Sequence, residues 1–198
     1  MKLIIIRHGE TEENKLGIIQ GHIHGTLSGL GKEQARKLAE RFKDEKIDII
    51  FSSDLSRAKD TAEEIAKFHP KIPFELRKEL RERNWGKFEG KRKDDIEYWK
   101  EIESKETWSD DLIEKYGGET PQETKERIIK FKDELLKSFR GKIILIVTHG
   151  TIGGYLLNHL MRGNSKEKLK NTSVTIFELD ENGKYELKLF NCTKHLEE

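Results

Sequence analysis

Residues 3–6 and 143–147 are unbroken apolar runs of Leu, Ile and Val, mostly β-branched, with no polar residue at alternate positions. That pattern suits strands buried on both faces of a parallel sheet rather than strands with one wet face. Residues 47–51 predict another strand, and Phe74–Leu76 a short one after the break from His69 to Pro73. Between these runs, apolar residues recur at helical spacing. Ala35, Leu38, Ala39 and Phe42 predict a helix after Leu27-Ser28-Gly29-Leu30-Gly31. Ala58, Ala62, Ile65 and Ala66 predict a second, with Ser52-Ser53-Asp54 as candidate N-caps. Thr120-Pro121-Gln122-Glu123 has the grammar of a helix start, with Thr at the cap, Pro in the first turn and Glu three residues after the cap. Ile128, Phe131, Leu135 and Phe139 supply that helix's buried face, and a further helix is predicted from about Thr151 through Met161. Val174–Leu179 and residues 185–190 read as strands flanking Asn182-Gly183, a hairpin signal.

Residues 85–116 break the alternation. They are dense in charge and hold all three tryptophans, Trp85, Trp99 and Trp108, together with Phe88, Tyr98 and Tyr116. Ile96, Trp99 and Ile102 keep helical spacing, so part of this segment is expected to be helical and to cover the strand ends as a lid-like excursion, closed by Gly117-Gly118. No repeat, low-complexity stretch or Pro/Gly-rich linker interrupts the chain, so residues 1–198 are expected to form one domain. Alternating strands and helices finished by one hairpin predict a three-layer α/β/α sandwich around a mostly parallel mixed sheet.

Charge narrows the range of partners. With 38 Lys and Arg against 37 Asp and Glu, the formal net charge is +1. No global field therefore draws nucleic acid or an anionic membrane, and an anionic ligand has to be gathered by locally placed cations. Cys192 is the only cysteine, which excludes an intrachain disulfide and makes a reducing compartment the simpler reading. The apolar run at the amino end is too short for a signal-peptide core or a membrane span. A cytoplasmic protein without nucleic-acid or membrane partners is expected, and the sequence leaves a homodimer open.

Two of the apolar strands end in a histidine followed by a glycine, in Arg7-His8-Gly9-Glu10-Thr11 and in Thr148-His149-Gly150. Open α/β sheets place their ligands at the carboxyl ends of strands. One such histidine alone would read as structural, whereas two with an arginine beside the first point to a phosphate site with a nitrogen nucleophile. A phosphomonoester is a dianion at neutral pH, so it needs donors around its equatorial oxygens and a nucleophile in line with the leaving oxygen. Arg7 offers a planar fork for two oxygens. Arg57, in the first turn of its helix, gains from the helix dipole. His149 and Asn14 complete a cradle that calls for no metal or other cofactor. His8 is the better nucleophile, because Gly9 lets backbone approach without a side chain, and His149 then serves as a donor to the transferring group. Glu82, in Leu80-Arg81-Glu82-Arg83-Asn84-Trp85-Gly86, is the candidate acid for the departing oxygen. Glu119 reads as a first-turn helix charge, and His22-Ile23-His24 as a loop near the pocket rather than a metal pair.

These motifs, with Gln20-Gly21, Ser52-Ser53-Asp54-Leu55-Ser56-Arg57-Ala58 and Gly117-Gly118-Glu119-Thr120, resemble the histidine phosphatase superfamily, which has the phosphoglycerate-mutase-like fold. They run in the family's order from residue 7 to 150. Phe190-Asn191-Cys192-Thr193-Lys194-His195-Leu196 resembles the tail of its small phosphatase branch, the α-ribazole-phosphatase and broad-specificity group. The resemblance implies an about six-stranded mixed sheet between helices and a phosphohistidine on His8. It further implies phosphate binding by Arg7, Arg57 and His149, with Glu82 protonating the leaving group and later activating water. Asn14, Gln20, Gly21, His22, Thr148 and Gly150 are the positions expected around the substrate. His22 and His24 depart from the family's commoner residues, as do Cys192 and Lys194 in the tail, so no specific role is carried over to them.

The expected activity is metal-independent hydrolysis of small phosphorylated metabolites. Phosphoglycerate mutases of the superfamily typically carry a longer segment between the acid and the Gly-Gly motif than lies between Glu82 and Gly117, which favours hydrolysis over the mutase alternative. A phosphoserine phosphatase and a non-catalytic phospho-ligand binder are the remaining alternatives, and a binder would need neither His8 nor Glu82. No G-x-x-x-x-G-K-[ST], Asp-x-Asp or H-E-x-x-H occurs, and Cys192 lies too near the end to be followed by a phosphate-gripping arginine loop.

Overall fold

The computed structural model describes residues 1–97, 99, 115–161, 168–180 and 184–197. Its six strands form one mixed sheet in the order β3-β2-β4-β1-β5-β6. These are β1 (Lys2–Arg7), β2 (Ile49–Ser52), β3 (Phe74–Leu76), β4 (Ile143–Thr148), β5 (Val174–Leu179) and β6 (Tyr185–Cys192). β1, β2, β3 and β4 run parallel, whereas β5 pairs antiparallel with both β1 and β6. The expected turn at Asn182-Gly183 lies outside the described residues. So does most of the excursion over 85–116, including Tyr98, Ile102 and Trp108.

Alternate residues of the central strands leave on opposite faces, which is why their runs are apolar throughout. Leu3, Ile5, Ile144, Ile146 and Phe51 face α4 (Pro121–Ser138) and α5 (Gly150–Leu160), meeting Ile128, Phe131, Leu135, Ile152 and Leu156. Ile4, Ile6, Leu145, Val147 and Ile50 face α2 (Gly29–Phe42) and α3 (Ser56–Ala66), meeting Leu38, Ala39, Phe42, Ala58, Ala62 and Ile65. Each fully buried side chain of this size contributes about 1.5–3 kcal/mol. The sandwich is therefore held from both sides, as the sequence pattern requires.

α4 starts as predicted: Thr120 caps it, its side chain accepting from the Glu123 N–H while Glu123 reaches back to the Thr120 N–H. α3 does not start as predicted. Its N-cap is Leu55, and no side chain caps it. Ser52 Oγ is spent on the neighbouring Ser53 carbonyl, and tertiary partners draw the other two away: Ser53 Oγ meets His149, and Asp54 binds Arg81 through both carboxylate oxygens. The sequence reading also missed α1 (Glu12–Lys15), a single turn closed by a capping box between Thr11 and Asn14. Ser28 caps α2, and Gly9 lies so close to it that a Cβ there would stand 2.7 Å from the Gly31 carbonyl oxygen. Beyond the strand ends, Trp85, Phe88 and Trp99 pack with Ile19, Ile96 and Tyr116. Among the described residues, no helix is long and apolar enough to cross a membrane.

Candidate active site

The register of the central strands builds the site. β1 and β4 pair with Arg7 opposite Thr148, so the next residues, His8 and His149, emerge side by side from neighbouring strand ends. Their ring centroids are 5.1 Å apart, and the His8 N–H donates to the Thr148 carbonyl at 3.0 Å. A cavity of about 500 Å³ opens at this end of the sheet. Arg7, His8, Asn14, Gln20, Gly21, Arg57, Glu82 and Gly150 line it, which brings together eight of the residues singled out in the sequence.

His8 is buried, and its Nδ1 lies 2.7 Å from the Gly9 carbonyl oxygen. A carbonyl can only accept, so Nδ1 carries the proton and Nε2 is left with a lone pair. Burial, and then the guanidinium groups of Arg57 and Arg7, push the imidazole well below its usual pKa of 6.5, so it is neutral at neutral pH. The Gly9 N–H is itself held by Thr61 Oγ1 at 3.0 Å, which pins the turn after β1 to α3.

Arg57 is fully buried and held from all sides. Its Nη2 donates to the Gly21 carbonyl at 2.8 Å, and Nη1 donates to the carbonyls of Ile23 and His24. Its Nε donates to His149 Nδ1 at 3.2 Å. Burial lowers its pKa to about 10, opposed chiefly by Glu82 and Glu13, so it keeps its charge. Arg7 is lowered by burial too, again opposed by Glu82. Arg7 donates to the Leu169 carbonyl at 2.6 Å, and its buried Nε has no hydrogen-bond partner among the described residues.

His149 lies behind the cavity wall rather than on it. Since Arg57 Nε can only donate, His149 Nδ1 accepts and the proton sits on Nε2, 2.8 Å from Ser53 Oγ. Glu82 lies on the wall with its carboxylate fixed by two backbone N–H groups, those of Arg83 at 2.9 Å and Thr151 at 3.1 Å. The second of these belongs to the first turn of α5, where unpaired N–H groups face outward.

Thr148 and His22 were expected among the substrate contacts and are placed elsewhere. Thr148 is fully buried and donates through its hydroxyl to the Leu80 carbonyl at 2.9 Å, tying β4 to the segment before Glu82. His22 Nε2 donates to the Glu82 carbonyl at 2.9 Å, supporting the backbone of Glu82. His24 points to Ser56 instead, so the two loop histidines do not form a pair. Glu119 binds Arg127 and the Asn84 N–H, a clamp rather than a pocket group. No cluster of three or more His, Cys, Asp or Glu side chains able to hold a metal occurs among the described residues.

The cavity also carries residues that the sequence reading passed over. Thr151, Tyr155 and Asn158 line it from one face of α5, with Gly150 and Gly154. Their spacing directly after Thr148-His149-Gly150 was a readable signal, because it marks one helical stripe running from the strand end. Arg83, Lys93 and Lys168 line it as well, with Trp85 and Trp99, and the Arg83 guanidinium stacks 4.3 Å from the Trp85 ring. Nothing local in the sequence marks Arg83, Lys93 or Lys168, which arrive through tertiary packing, whereas Trp85 and Trp99 belong to the excursion expected over the strand ends.

A probable phosphatase of Schizosaccharomyces pombe is 32% identical over all of this chain and 96% of its own length. The metal-independent phosphoserine phosphatase of Arabidopsis thaliana is 35% identical over 90% of this chain and 76% of its own. Among solved structures, Bacillus stearothermophilus YhfR superimposes with a TM-score of 0.85 at 28% identity, covering 98% of both chains. The family model for the histidine phosphatase superfamily (branch 1) matches residues 3–193. The chain belongs to that superfamily and is a phosphoric monoester hydrolase of the phosphoglycerate-mutase-like fold.

Proposed function

We propose that the chain hydrolyses small phosphomonoesters in two transfers, first to Nε2 of His8 and then to water, without a metal ion. The observation that carries this reading is the fixed tautomer of His8. Its Nδ1–H is spent on the Gly9 carbonyl, and the ring lines the cavity with Arg57 and Arg7, whose charges keep it neutral. In the first transfer, the Nε2–P bond forms as the P–O ester bond breaks, and Glu82 gives its proton to the departing oxygen. In the second, the Glu82 carboxylate takes a proton from water, whose oxygen attacks phosphorus and releases inorganic phosphate and neutral His8.

Arg7 supplies charge to the equatorial oxygens, and its unpartnered Nε gains an acceptor when a phosphoryl group arrives. Arg57 supplies the second charge, and His149 acts on the phosphoryl group through Arg57, whose Nε it holds. Gly150 lies between Arg7 and Glu82, where a Cβ would make ordinary van der Waals contact with both, at 3.7 and 3.9 Å. The organic part of the substrate lies against Trp85, Trp99, Tyr155 and Asn158. An α-ribazole-phosphate-like or broad-specificity substrate range fits this wall. A phosphoserine-like substrate is the second reading, favoured by the similarity to the Arabidopsis enzyme and by Arg83, Lys93 and Lys168 on the same wall.

Hydrolysis of p-nitrophenyl phosphate in EDTA tests the mechanism. Turnover is expected to persist with chelator and to vanish in His8→Ala, and wild type quenched in alkaline detergent is expected to carry phosphate on His8 that acid then releases. Activity that disappears with chelator would overturn the metal-free mechanism. Interconversion of 3-phosphoglycerate with negligible phosphate release would move the assignment to a mutase.

A further inference from the structure

Residues 169–172, just before β5, meet the end of β1 at Arg7 and the residue after it, His8. The Leu169 carbonyl takes the Arg7 guanidinium, and the Thr172 N–H donates to the Arg7 carbonyl at 3.0 Å. Asn171 Nδ2 donates to the His8 carbonyl at 3.0 Å and reaches Asn14 Oδ1 at 3.5 Å. A carbonyl only accepts, so the Asn171 atom facing His8 is the amide nitrogen. A backbone N–H only donates, so the Asn14 atom 3.3 Å from the Thr11 N–H is the amide oxygen. Both amide orientations thus follow from partners that have no choice of role. With Oδ1 of Asn14 turned to Thr11 and Asn171, its NH2 is turned the other way, and Asn14 lines the cavity beside Arg7 and His8.

The backbone here is held under strain. Thr172 is β-branched and fully buried, yet it sits at φ +52° in the left-handed region. Such a conformation persists only where its surroundings over-determine it. Thr172 Oγ1 donates to the Asn171 carbonyl at 2.8 Å and accepts from His195 Nε2 at 3.3 Å. Asn191 grips the same segment with both ends of its amide, taking the Lys170 N–H at 2.9 Å and bonding the Lys168 carbonyl at 3.2 Å. The tail around Asn191 and His195 therefore acts as a clamp on the segment that carries Asn171.

We infer that Asn171 is a positioning residue for the phosphoryl site: its carboxamide holds the main chain of His8 and fixes the Asn14 amide with its NH2 toward the phosphoryl oxygens. This rests on the reading of His8 as the phosphoryl acceptor. Asn171→Asp places an oxygen against two acceptor oxygens, the His8 carbonyl and Asn14 Oδ1, so the Asn14 amide loses one of the two donors that hold it and its NH2 is pushed out of line with the anion.

The test measures kcat and KM for p-nitrophenyl phosphate, and the vanadate inhibition constant, in wild type, Asn171→Asp, Asn171→Ala, Asn14→Ala and the double variant Asn14→Ala/Asn171→Asp. Asn171→Asp is expected to weaken vanadate inhibition about ten- to a hundredfold, the loss of one hydrogen bond to a charged group. Asn14→Ala is expected to weaken it similarly, and the double variant no further, with melting temperatures within a few degrees of wild type. Independent, multiplying losses in the double variant would overturn the inference, as would unchanged vanadate inhibition in a folded Asn171→Asp. If Asn171→Asp does not fold, Asn171→Ala decides by the same comparison. A wild type that neither turns over substrate nor binds vanadate overturns the hydrolase reading instead. The Asn14 side-chain amide resonance then still decides the positioning, shifting in Asn171→Asp if it holds and staying put if it does not.

Discussion

His8 and His149 lie in nearly the same surroundings and are committed in opposite senses. One donates through Nδ1 to a carbonyl, and the other accepts through Nδ1 from a guanidinium. Both are driven well below the usual imidazole pKa by burial first and by Arg57 next, so two neutral rings stand beside two cations. Only His8 is left with its lone pair on the cavity side. Glu82 is the third party, held on the same wall by the N–H groups of Arg83 and Thr151. Glu82→Gln keeps that shape and removes the transferable proton. With alkyl phosphates, kcat/KM is expected to fall by roughly 10²–10⁴-fold, the usual contribution of a general acid. With p-nitrophenyl phosphate, whose phenolate departs without protonation, the loss is expected to be much smaller. Equal losses across leaving groups would count against the acid role.

The strands and helices that carry these groups differ in how far local chemistry dictates them. α4 is written almost wholly in its own residues, because its cap, its Pro and its apolar stripe each act within one turn of the chain. Thr120→Ala removes the cap and is expected to cost about 1 kcal/mol of stability with little change in kcat, read from urea denaturation and steady-state assays. A loss of activity without a loss of stability would place Thr120 in the site instead. The central strands were equally readable, since burial on both faces leaves an unbroken apolar run. With them came Arg7, His8 and the neighbouring His149, because parallel pairing in register sets the strand ends side by side. The start of α3 was misread for the opposite reason. Ser53 and Asp54 have capping chemistry, but His149 and Arg81 offer stronger partners across the fold. Thr148, His22 and Asn171 share this character: their partners are carbonyls far along the chain, so no local pattern announces whether they face the cavity or brace it.

A net charge of +1 conceals a local group of cations, with Arg7 and Arg57 beside two buried imidazoles, and that arrangement leaves a trace in the stability. His8 and His149 have folded pKa values well below 6.5, whereas the unfolded chain protonates both near 6.5. Between the folded and unfolded values, the unfolded state therefore binds more protons, so stability rises with pH there and falls as pH drops below about 6.5. Each buried ring contributes a slope of at most about 1.4 kcal/mol per pH unit. His195, lowered to about 4 by burial and then by Arg41, adds to the same window down to that pH, with a smaller effect because it is half-exposed. Asp54, lowered chiefly by its bonds to Arg81, acts only further into acid, as that carboxylate begins to protonate. Urea midpoints measured at pH 7.5, 6.5, 5.5 and 4.5 are expected to hold level above 6.5 and fall below it. His8→Ala is expected to reduce the slope by one proton, and His195→Gln to keep most of it. A profile level from 7.5 to 5.5 would mean that the two active-site rings take up protons in the folded protein. That outcome would put both rings near the ordinary imidazole pKa, so that His8 would be neutral only above about pH 6.5.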